Sequence, residues 1–345
     1  MRPSFVLARR VAALIVALAL TAASSSAQDY HVTATHVIGG DGGWDYIALD
    51  TVGHRLFIAR NDRVLVVDEA SGKSLGEIPG FKRAHGVAFD YAARRGIATS
   101  GEDSSVVVFN LDNLAVIKRT HADDDADAIL FDPATKHVFT MNGDAGTSSV
   151  IDPATGARIA SISLGGKPEF GVSDGHGHVY ANLEDKAEIA EIDAAAKTVV
   201  RHWSIAPCES PTGLAIDVEH HRLFSGCRNK MIAISDAGAG KLVTTVAAGS
   251  GIDADRFDPG TQLAFSSNGD GSITVVHEDS PSSFRVIQTV STMPGARTME
   301  LDGKTHRLYT VTAKMGPQPA APTKDNPRRR PPILPGTFSL IVLER

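Results

Sequence analysis

The sequence predicts an all-β fold, a seven-bladed β-propeller with four strands in each blade. The prediction rests on a unit of apolar strand, turn and second apolar strand that recurs seven times, with copies 40 to 44 residues apart. A period in the forties with several short strands is typical of propeller blades. The aspartates that end the first strand of each copy are Asp50, Asp90, Asp132, Asp174, Asp217, Asp258 and Asp302.

The segments between the units supply the outer strands of each blade. Third strands such as VVVFN and MIAIS, and fourth strands such as AVIKRT and KLVTTV, follow the first two in order. Only six fourth strands lie downstream of a third strand, because the chain ends at IVLER. We therefore expect residues 31–40 to form the outer strand of the last blade and to close the ring, which removes two free sheet edges.

Residues 1–27 have the features of a secretory signal peptide. Arginines precede a ten-residue apolar run, and Ser25 and Ala27 occupy the small-residue positions of a cleavage site. The apolar run is too short to span a bilayer as a stable helix. We expect residues 28–345 to form one propeller domain that is periplasmic or secreted, monomeric and without a membrane span.

Charge argues against nucleic acid as a partner of this chain. The formal charge is −6, and removal of the three arginines of the signal peptide changes it to −9. Nucleic-acid-binding proteins present basic surfaces to the phosphate backbone, so an acidic chain with few aromatic residues is a poor candidate. A small-molecule ligand or an exported protein segment is the expected partner.

The chain contains two cysteines, Cys208 and Cys227. They lie just before the fifth inner strand and just after the strand that follows it, which places both on one face of the propeller. In an oxidising compartment they are predicted to form a disulfide that also holds Glu209 near the rim of that face, with two free structural cysteines as the alternative.

The recurring turn and strand motifs HRLF, HVF and HRLY, together with turns such as IDPATGAR (151–158), resemble those of the YVTN-repeat propellers of the YncE-like group. The resemblance covers the chain from His31 to Arg345. It implies an exported seven-bladed propeller, a class that is mostly without an assigned reaction. It transfers no catalytic residue to this sequence.

A set of polar residues, here named the polar ring, is predicted at one mouth of the central channel. The inner strand of each blade lines the channel, and the residue five positions before each recurring aspartate stands where that strand begins. These residues could simply face water, or they could form a binding site, because convergent polar groups in a concave surface are typical of one. The ring comprises Asp45, His85, Asp127, Glu169, Thr212, Asp253 and Arg297.

Four carboxylates in one ring repel one another unless a cation offsets their charge. His85, Arg297, Lys167 and Arg83 are available for this purpose, and so is a bound metal ion. Carboxylates and one imidazole would suit a hard divalent cation such as Ca²⁺ or Mg²⁺. The candidate metal ligands are Asp45, His85, Asp127, Glu169 and Asp253.

Other segments are expected on the same face as the polar ring. Loops that follow second strands supply Asn182 and Glu184 as further candidate ligand contacts. Trp44 precedes the ring residue Asp45 and would either stack on a ligand or pack between blades. The loop 313–336, rich in proline and arginine, would be either a disordered excursion or a lid over the channel mouth.

Two functions follow from these features. The first is a platform that binds a small ligand or a protein segment through the polar ring. The alternative is a hydrolase, lactonase or lyase in the same ring that uses a metal or an acid–base pair. For that reaction His85, Asp127 and Glu169 are candidate acids and bases, and Arg297 would stabilise developing negative charge. The sequence contains no G-x-S-x-G, Walker A or H-E-x-x-H motif.

Overall fold

The computed structural model describes residues 29–322 and 331–345. The predicted signal peptide and residues 323–330 of the predicted loop lie outside the described residues. Within the described residues, 28 β-strands form seven sheets of four antiparallel strands. The predicted seven-bladed propeller is therefore confirmed. The described part of the chain has no helix that is long and apolar enough to cross a membrane.

The strands of the first four blades follow one another from the inner to the outer position. Blade one comprises β2 (Ile47–Asp50), β3 (Arg55–Arg60), β4 (Arg63–Asp68) and β5 (Ser74–Pro79). Blade two comprises β6 (Ala84–Asp90), β7 (Arg95–Ser100), β8 (Ser105–Asn110) and β9 (Val116–His121). Blade three comprises β10 (Ala126–Asp132), β11 (His137–Asn142), β12 (Thr147–Asp152) and β13 (Ala157–Ser163). Blade four comprises β14 (Pro168–Ser173), β15 (His178–Leu183), β16 (Glu188–Asp193) and β17 (Thr198–Ser204).

The last three blades follow the same order, except that the N-terminal strand belongs to the last one. Blade five comprises β18 (Pro211–Asp217), β19 (Arg222–Cys227), β20 (Met231–Asp236) and β21 (Lys241–Ala247). Blade six comprises β22 (Ile252–Asp258), β23 (Leu263–Asn268), β24 (Ser272–Ser280) and β25 (Ser283–Ser291). Blade seven comprises β26 (Met299–Asp302), β27 (Arg307–Thr312), β28 (Ser339–Glu344) and β1 (His31–Val37).

The ring closes through the first and last strands of the described chain. Strand β1 pairs antiparallel with β28, with His31 opposite Glu344 and Val37 opposite Ser339. The outer strand of blade seven thus comes from the N-terminal segment, as the strand count predicts. Every sheet is then complete, and each blade packs its apolar faces against its two neighbours in the buried clusters of the core.

The recurring aspartates close the turns that join first and second strands. In blade three, Asp132 Oδ2 accepts hydrogen bonds from the Thr135 backbone N–H at 2.9 Å and from its hydroxyl at 2.6 Å. Asp258 and Asp302 accept the same hydroxyl bond in blades six and seven, together with a bond from the backbone N–H two positions on. A short acceptor at this position satisfies backbone donors that the tight turn leaves unpaired. The aspartate that reveals the repeat is therefore a structural residue.

Most polar ring residues lie in β-bulges of the inner strands. The register of β10 with β11 shifts between Ala126 and Ile129, and this shift contains Asp127. A bulge adds a residue to one strand and redirects its side chains, which explains how a strand otherwise packed between blades turns a carboxylate into the channel. Equivalent shifts contain His85, Glu169, Thr212 and Asp253.

Candidate ligand-binding cavity

The mouth of the channel at which the inner strands begin contains a cavity of about 420 Å³, here named the cup. Its lining is almost entirely polar. The polar ring contributes Asp45, Asp127, Glu169, Asp253 and Arg297 to this lining. The structure thus brings together, in one concave site, the four carboxylates that the repeat pattern places at equivalent positions.

Tyr46 forms part of the lining of the cup and reaches across the channel from blade one. Its ring meets the edge of Phe170 of blade four, with ring centroids 5.2 Å apart. The guanidinium of Arg256 lies 5.3 Å from the centre of the Phe170 ring and is paired with Glu300 at 2.5 Å. Burial, aided by the surrounding carboxylates, raises the pKa of Tyr46 well above its ordinary value. The phenol therefore stays neutral next to the acidic ring.

His85 lies beneath the cup wall and bridges two of the carboxylates. Its Nδ1 is 2.6 Å from Asp45 Oδ2 and 3.1 Å from Asp127 Oδ1. The imidazole is 1 % exposed, and burial alone would lower its pKa, but Asp127 and Asp45 raise the pKa of His85 to about 9. The imidazolium is thus the main counter-charge for this side of the ring.

Arg297 is the second cation in contact with the ring. One guanidinium nitrogen lies 3.1 Å from Asp253 Oδ1, and another lies 3.9 Å from Asp45 Oδ1. Asp253 Oδ2 is buried without a hydrogen-bond partner. Burial raises the pKa of Asp253 to about 6, although Arg297 opposes this shift.

Asp127 and Glu169 have the most strongly raised pKa values of the four ring carboxylates. Burial raises the pKa of Asp127 to about 7, with His85 opposing the shift and Asp45 adding to it. Glu169 has no ion-pair or hydrogen-bond partner within the described part of the chain, and burial together with Asp127 raises the pKa of Glu169 to about 8. Carboxyl groups held partly protonated near neutral pH are typical of functional sites.

A rim of ion pairs surrounds the acidic floor of the cup. Arg228 is 2.9 Å from Glu184, and Arg83 is 3.6 Å from Asp125. Lys167 lies 3.8 Å from Glu184. The basic side chains are 42 to 55 % exposed, whereas the carboxylates of Asp45, Asp127 and Asp253 are 11 to 23 % exposed. The acids therefore lie deep in the cup and the bases lie at its opening.

Four of the residues proposed from sequence are not part of the lining. His85 is covered and acts through its two carboxylates. Asn182 is buried, and its amide nitrogen donates to the carbonyls of Thr212 and Gly213 at 3.1 and 2.8 Å. Thr212 is also buried, with its hydroxyl donating to Ile252 at 2.8 Å. Glu209 is exposed and its backbone N–H donates to Asn229. Asn182 and Thr212 thus tie neighbouring bulges together.

Tyr46, Asp125 and Arg228 line the cup but were not among the residues proposed from sequence. Asp125 stands two positions before Asp127 and Tyr46 directly follows Asp45, so the repeat pattern contains a signal for both. Arg228 follows Cys227. The disulfide between Cys208 and Cys227 is present, with Cα atoms 5.4 Å apart, and it confirms the predicted pairing.

An apolar cavity of about 380 Å³, here named the slot, adjoins the cup. The two cavities share Gly43, Trp44 and Arg297. Trp44 packs against Phe338 with ring centroids 5.4 Å apart, so it also fulfils the packing role considered for it. The far side of the slot is lined by Met315 and Ile333, which pair as a short antiparallel bridge at the base of the loop 313–336.

The donor arrangement of the polar ring favours ion pairing over a metal ion at His85. Asp45, His85 and Asp127 offer donor atoms within 4.8 Å of one another. However, Nδ1 of His85 donates its proton to Asp45, which gives the carboxylates a cation already. Nε2 is buried next to Gly101 and has no hydrogen-bond partner. The calcium or magnesium site stays a prediction that metal analysis would test.

Comparisons with known proteins establish the fold alone. A scan against protein-family models and a search of curated protein sequences each gave no match. Among solved structures, the chain is similar to hydrazine synthase of Kuenenia stuttgartiensis, with a TM-score of 0.71 and 17 % identity over 81 % of this chain and 95 % of that chain. It is also similar to the WD40 repeats of RRP9, with a TM-score of 0.75 and 9 % identity over 92 % of this chain and all of that chain. These likenesses support the seven-bladed propeller.

Proposed function

We propose that the chain is an exported propeller of the YVTN-repeat type that acts as a ligand-binding platform, with the cup as its binding site. Seven copies of the unit and the propeller fold support the family assignment. The disulfide supports export, because disulfides persist in oxidising compartments. A propeller is a common scaffold for binding, but the ligand must be argued from the site itself.

The ligand class follows from the charge of the cup. Four carboxylates converge on the floor, and among the residues that the structure describes only His85 and Arg297 contact them as cations. A ligand ammonium or guanidinium group would supply the missing charge and the missing donor for Asp253 Oδ2. This excess of buried acceptors is the observation that carries the proposal.

The slot indicates that the ligand also has an apolar substituent. Because the slot shares Trp44 and Arg297 with the cup, a ligand that places its cationic group on the acidic floor can place an apolar substituent against Met315 and Ile333. Burial of such a substituent contributes about 25 cal/mol for each Å² of apolar surface. We therefore propose a primary amine with an apolar substituent as the ligand, and an exported protein segment with these groups would satisfy the same site.

Titration calorimetry with phenethylamine tests the proposal. We expect this amine to bind, and 3-phenylpropionate, which has an acid in place of the amine, to bind at least about tenfold more weakly, since one ion pair contributes about 1.5–3 kcal/mol. Asp253→Asn should weaken phenethylamine binding about tenfold or more. Asp144→Asn is the matched control, because Asp144 lies on the same face but is 72 % exposed at its side chain.

Two outcomes would contradict this ligand class. One is tighter binding of the acid than of the amine. The other is equal loss of phenethylamine affinity in the Asp253→Asn and Asp144→Asn variants, since binding would then follow surface charge and not the cup.

Acid–base catalysis in the cup is a second candidate function. The observation that favours it is the raised pKa of Asp127 and Glu169, which lets one carboxyl donate a proton while another accepts one. A screen of lactones and esters would detect it. A rate that is lost in Glu169→Gln and retained in Asp144→Asn would support catalysis, and no turnover by the wild-type protein would remove this candidate.

A further inference from the structure

A second cluster of one histidine and two acidic residues lies away from the cup, and it is here named the 217–278 cluster. Asp217 ends the inner strand of blade five, and His220 lies in the turn that follows. Glu278 comes from the third strand of blade six. His220 Nδ1 is 2.7 Å from Asp217 Oδ2 and 3.1 Å from Glu278 Oε1. Since the inner strands start at the cup and end here, the cluster lies on the opposite face.

The carboxylates of this cluster are buried, and both contact His220 as an ion-pair partner. Asp217 is 1 % exposed and Glu278 is 3 % exposed. Asp217 Oδ1 accepts from the Glu219 backbone N–H at 3.0 Å, which leaves Oδ2 directed at the cluster. That oxygen, both carboxylate oxygens of Glu278 and Nδ1 of His220 are buried and form no hydrogen bond. One partly exposed imidazole is a weak counter-charge for two buried carboxylates that lack well-formed hydrogen bonds, so the arrangement points to a further cation.

The nearby arginine does not satisfy these oxygens. Arg222 directs its Nε to the carbonyl of Pro281 at 2.7 Å and its Nη1 to the carbonyl of His220 at 2.8 Å. Its ion pair is with Asp236 at 3.1 Å, and its charge acts on Glu278 without a hydrogen bond. The buried oxygens are therefore available to a ligand of positive charge.

We infer that the 217–278 cluster is a binding site for one divalent transition-metal ion, Zn²⁺ or Mn²⁺. Two carboxylates balance the charge of such an ion, and an imidazole nitrogen with carboxylate oxygens is a donor set that suits these metals. Donors around a tetrahedral ion with bonds of about 2.1 Å stand about 3.4 Å apart, so His220 would move away from Asp217 by less than about 1 Å to admit the ion. The His220 side chain is 30 % exposed, which gives the ion and a completing water access to the site.

The ion would join two blades. Asp217 and His220 belong to blade five and Glu278 belongs to blade six, so one ion ties the turn of one sheet to the third strand of the next. This role is separate from ligand binding in the cup, and either can fail without the other.

Zinc titration of the chelator-treated, dialysed protein tests the inference. We expect one Zn²⁺ per chain with a Kd below about 10 µM, and a Co²⁺-substituted protein with visible absorption from the bound ion. Glu278→Gln keeps the shape of the side chain and should weaken Zn²⁺ binding at least about 100-fold and abolish the Co²⁺ absorption.

Glu69→Gln is the matched control. Glu69 is also buried and contacts one histidine, with its Oε1 2.9 Å from His54 Nδ1, but within the described residues this pair is not part of a three-donor cluster. It should leave zinc affinity unchanged. His220→Ala provides a second test at a half-exposed position, should Glu278→Gln fail to fold. Absence of zinc and manganese binding, or binding that neither variant reduces, would overturn the inference.

Discussion

The two histidine–carboxylate clusters of this propeller each contain one histidine and two acids, and their burial is opposite. In the cup, His85 is enclosed and its partners Asp45 and Asp127 reach the cavity, with side chains 23 and 17 % exposed. In the 217–278 cluster the acids are enclosed and His220 reaches solvent. The buried group of each cluster requires a counter-charge, because desolvation penalises its charged form.

The hydrogen bonds differ in the same way. Nδ1 of His85 donates to Asp45, and the imidazolium is compensated within the cluster. Nδ1 of His220 forms no hydrogen bond, although two carboxylate oxygens lie within 3.1 Å. In the cup, the buried imidazolium of His85 is the counter-ion of the two acids. In the 217–278 cluster the two acids are buried and the imidazole is exposed, so a bound cation could serve as their counter-ion.

The largest effect is expected from His85→Ala. Removal of this imidazolium leaves Asp45 and Asp127 without their main counter-charge, and we expect the free energy of unfolding to fall by about 2–3 kcal/mol, less than for a fully enclosed pair because both acids reach the cavity. His220→Ala in metal-free protein should cost less, about 1 kcal/mol, since the imidazole is 30 % exposed and its removal admits water to Asp217 and Glu278. Urea unfolding of both variants measures the difference, and equal losses would contradict the distinction drawn from burial.

Stabilisation by zinc should depend on the 217–278 cluster and not on His85. At zinc concentrations about 100 times the Kd, the ion should stabilise wild-type protein by about 2.7 kcal/mol, because it binds the folded state. We expect His85→Ala to keep this gain and Glu278→Gln to lose it. Thermal melts with and without zinc provide the measurement. A gain that disappears in His85→Ala and persists in Glu278→Gln would place the ion in the cup instead.

The sequence predicted the architecture of the propeller more completely than it predicted the residues of the sites. Each blade repeats one local pattern, so the aspartate spacing and the missing seventh outer strand were sufficient to predict ring closure by β1. The ring positions of Asp127 and Glu169 also followed from counting within the repeat.

The remaining features of the sites depend on contacts between blades that the repeat does not encode. Tyr46 meets Phe170 across the channel, and Asn182 faces the backbone of the next blade. Glu278 contacts His220 from a neighbouring sheet, about 58 residues away in sequence. No metal-binding sequence motif predicts this spacing. Single positions of this kind break the repeat, and only the packing of blades shows which of them converge.

The pH dependence of stability should follow the acids of the cup whose pKa values are raised. The pKa of Glu169 is raised to about 8 in the folded protein, so the folded state retains a proton that the unfolded chain releases above its ordinary pKa. The contribution of Glu169 to stability is therefore fully present below its ordinary pKa and is lost as pH rises toward 8. In metal-free protein we expect Tm to fall by about 3 °C or more between pH 6 and pH 8, and Glu169→Gln to reduce this fall. A Tm that rises over this range would contradict the raised pKa.

The smallest effect is expected where a histidine meets a carboxylate that is already satisfied. His306 Nδ1 lies 2.7 Å from Asp258 Oδ2 across blades six and seven, a separation as short as those in the two clusters. Asp258 also accepts from the Gly260 backbone and the Thr261 hydroxyl, so its charge stays compensated without the imidazole. His306→Ala should therefore change the free energy of unfolding by less than about 1 kcal/mol and leave zinc affinity unchanged. A loss as large as that of His85→Ala would mean that the distance between histidine and carboxylate alone determines what the pair contributes to the free energy of unfolding. Burial of the histidine would then not explain the difference between the two clusters.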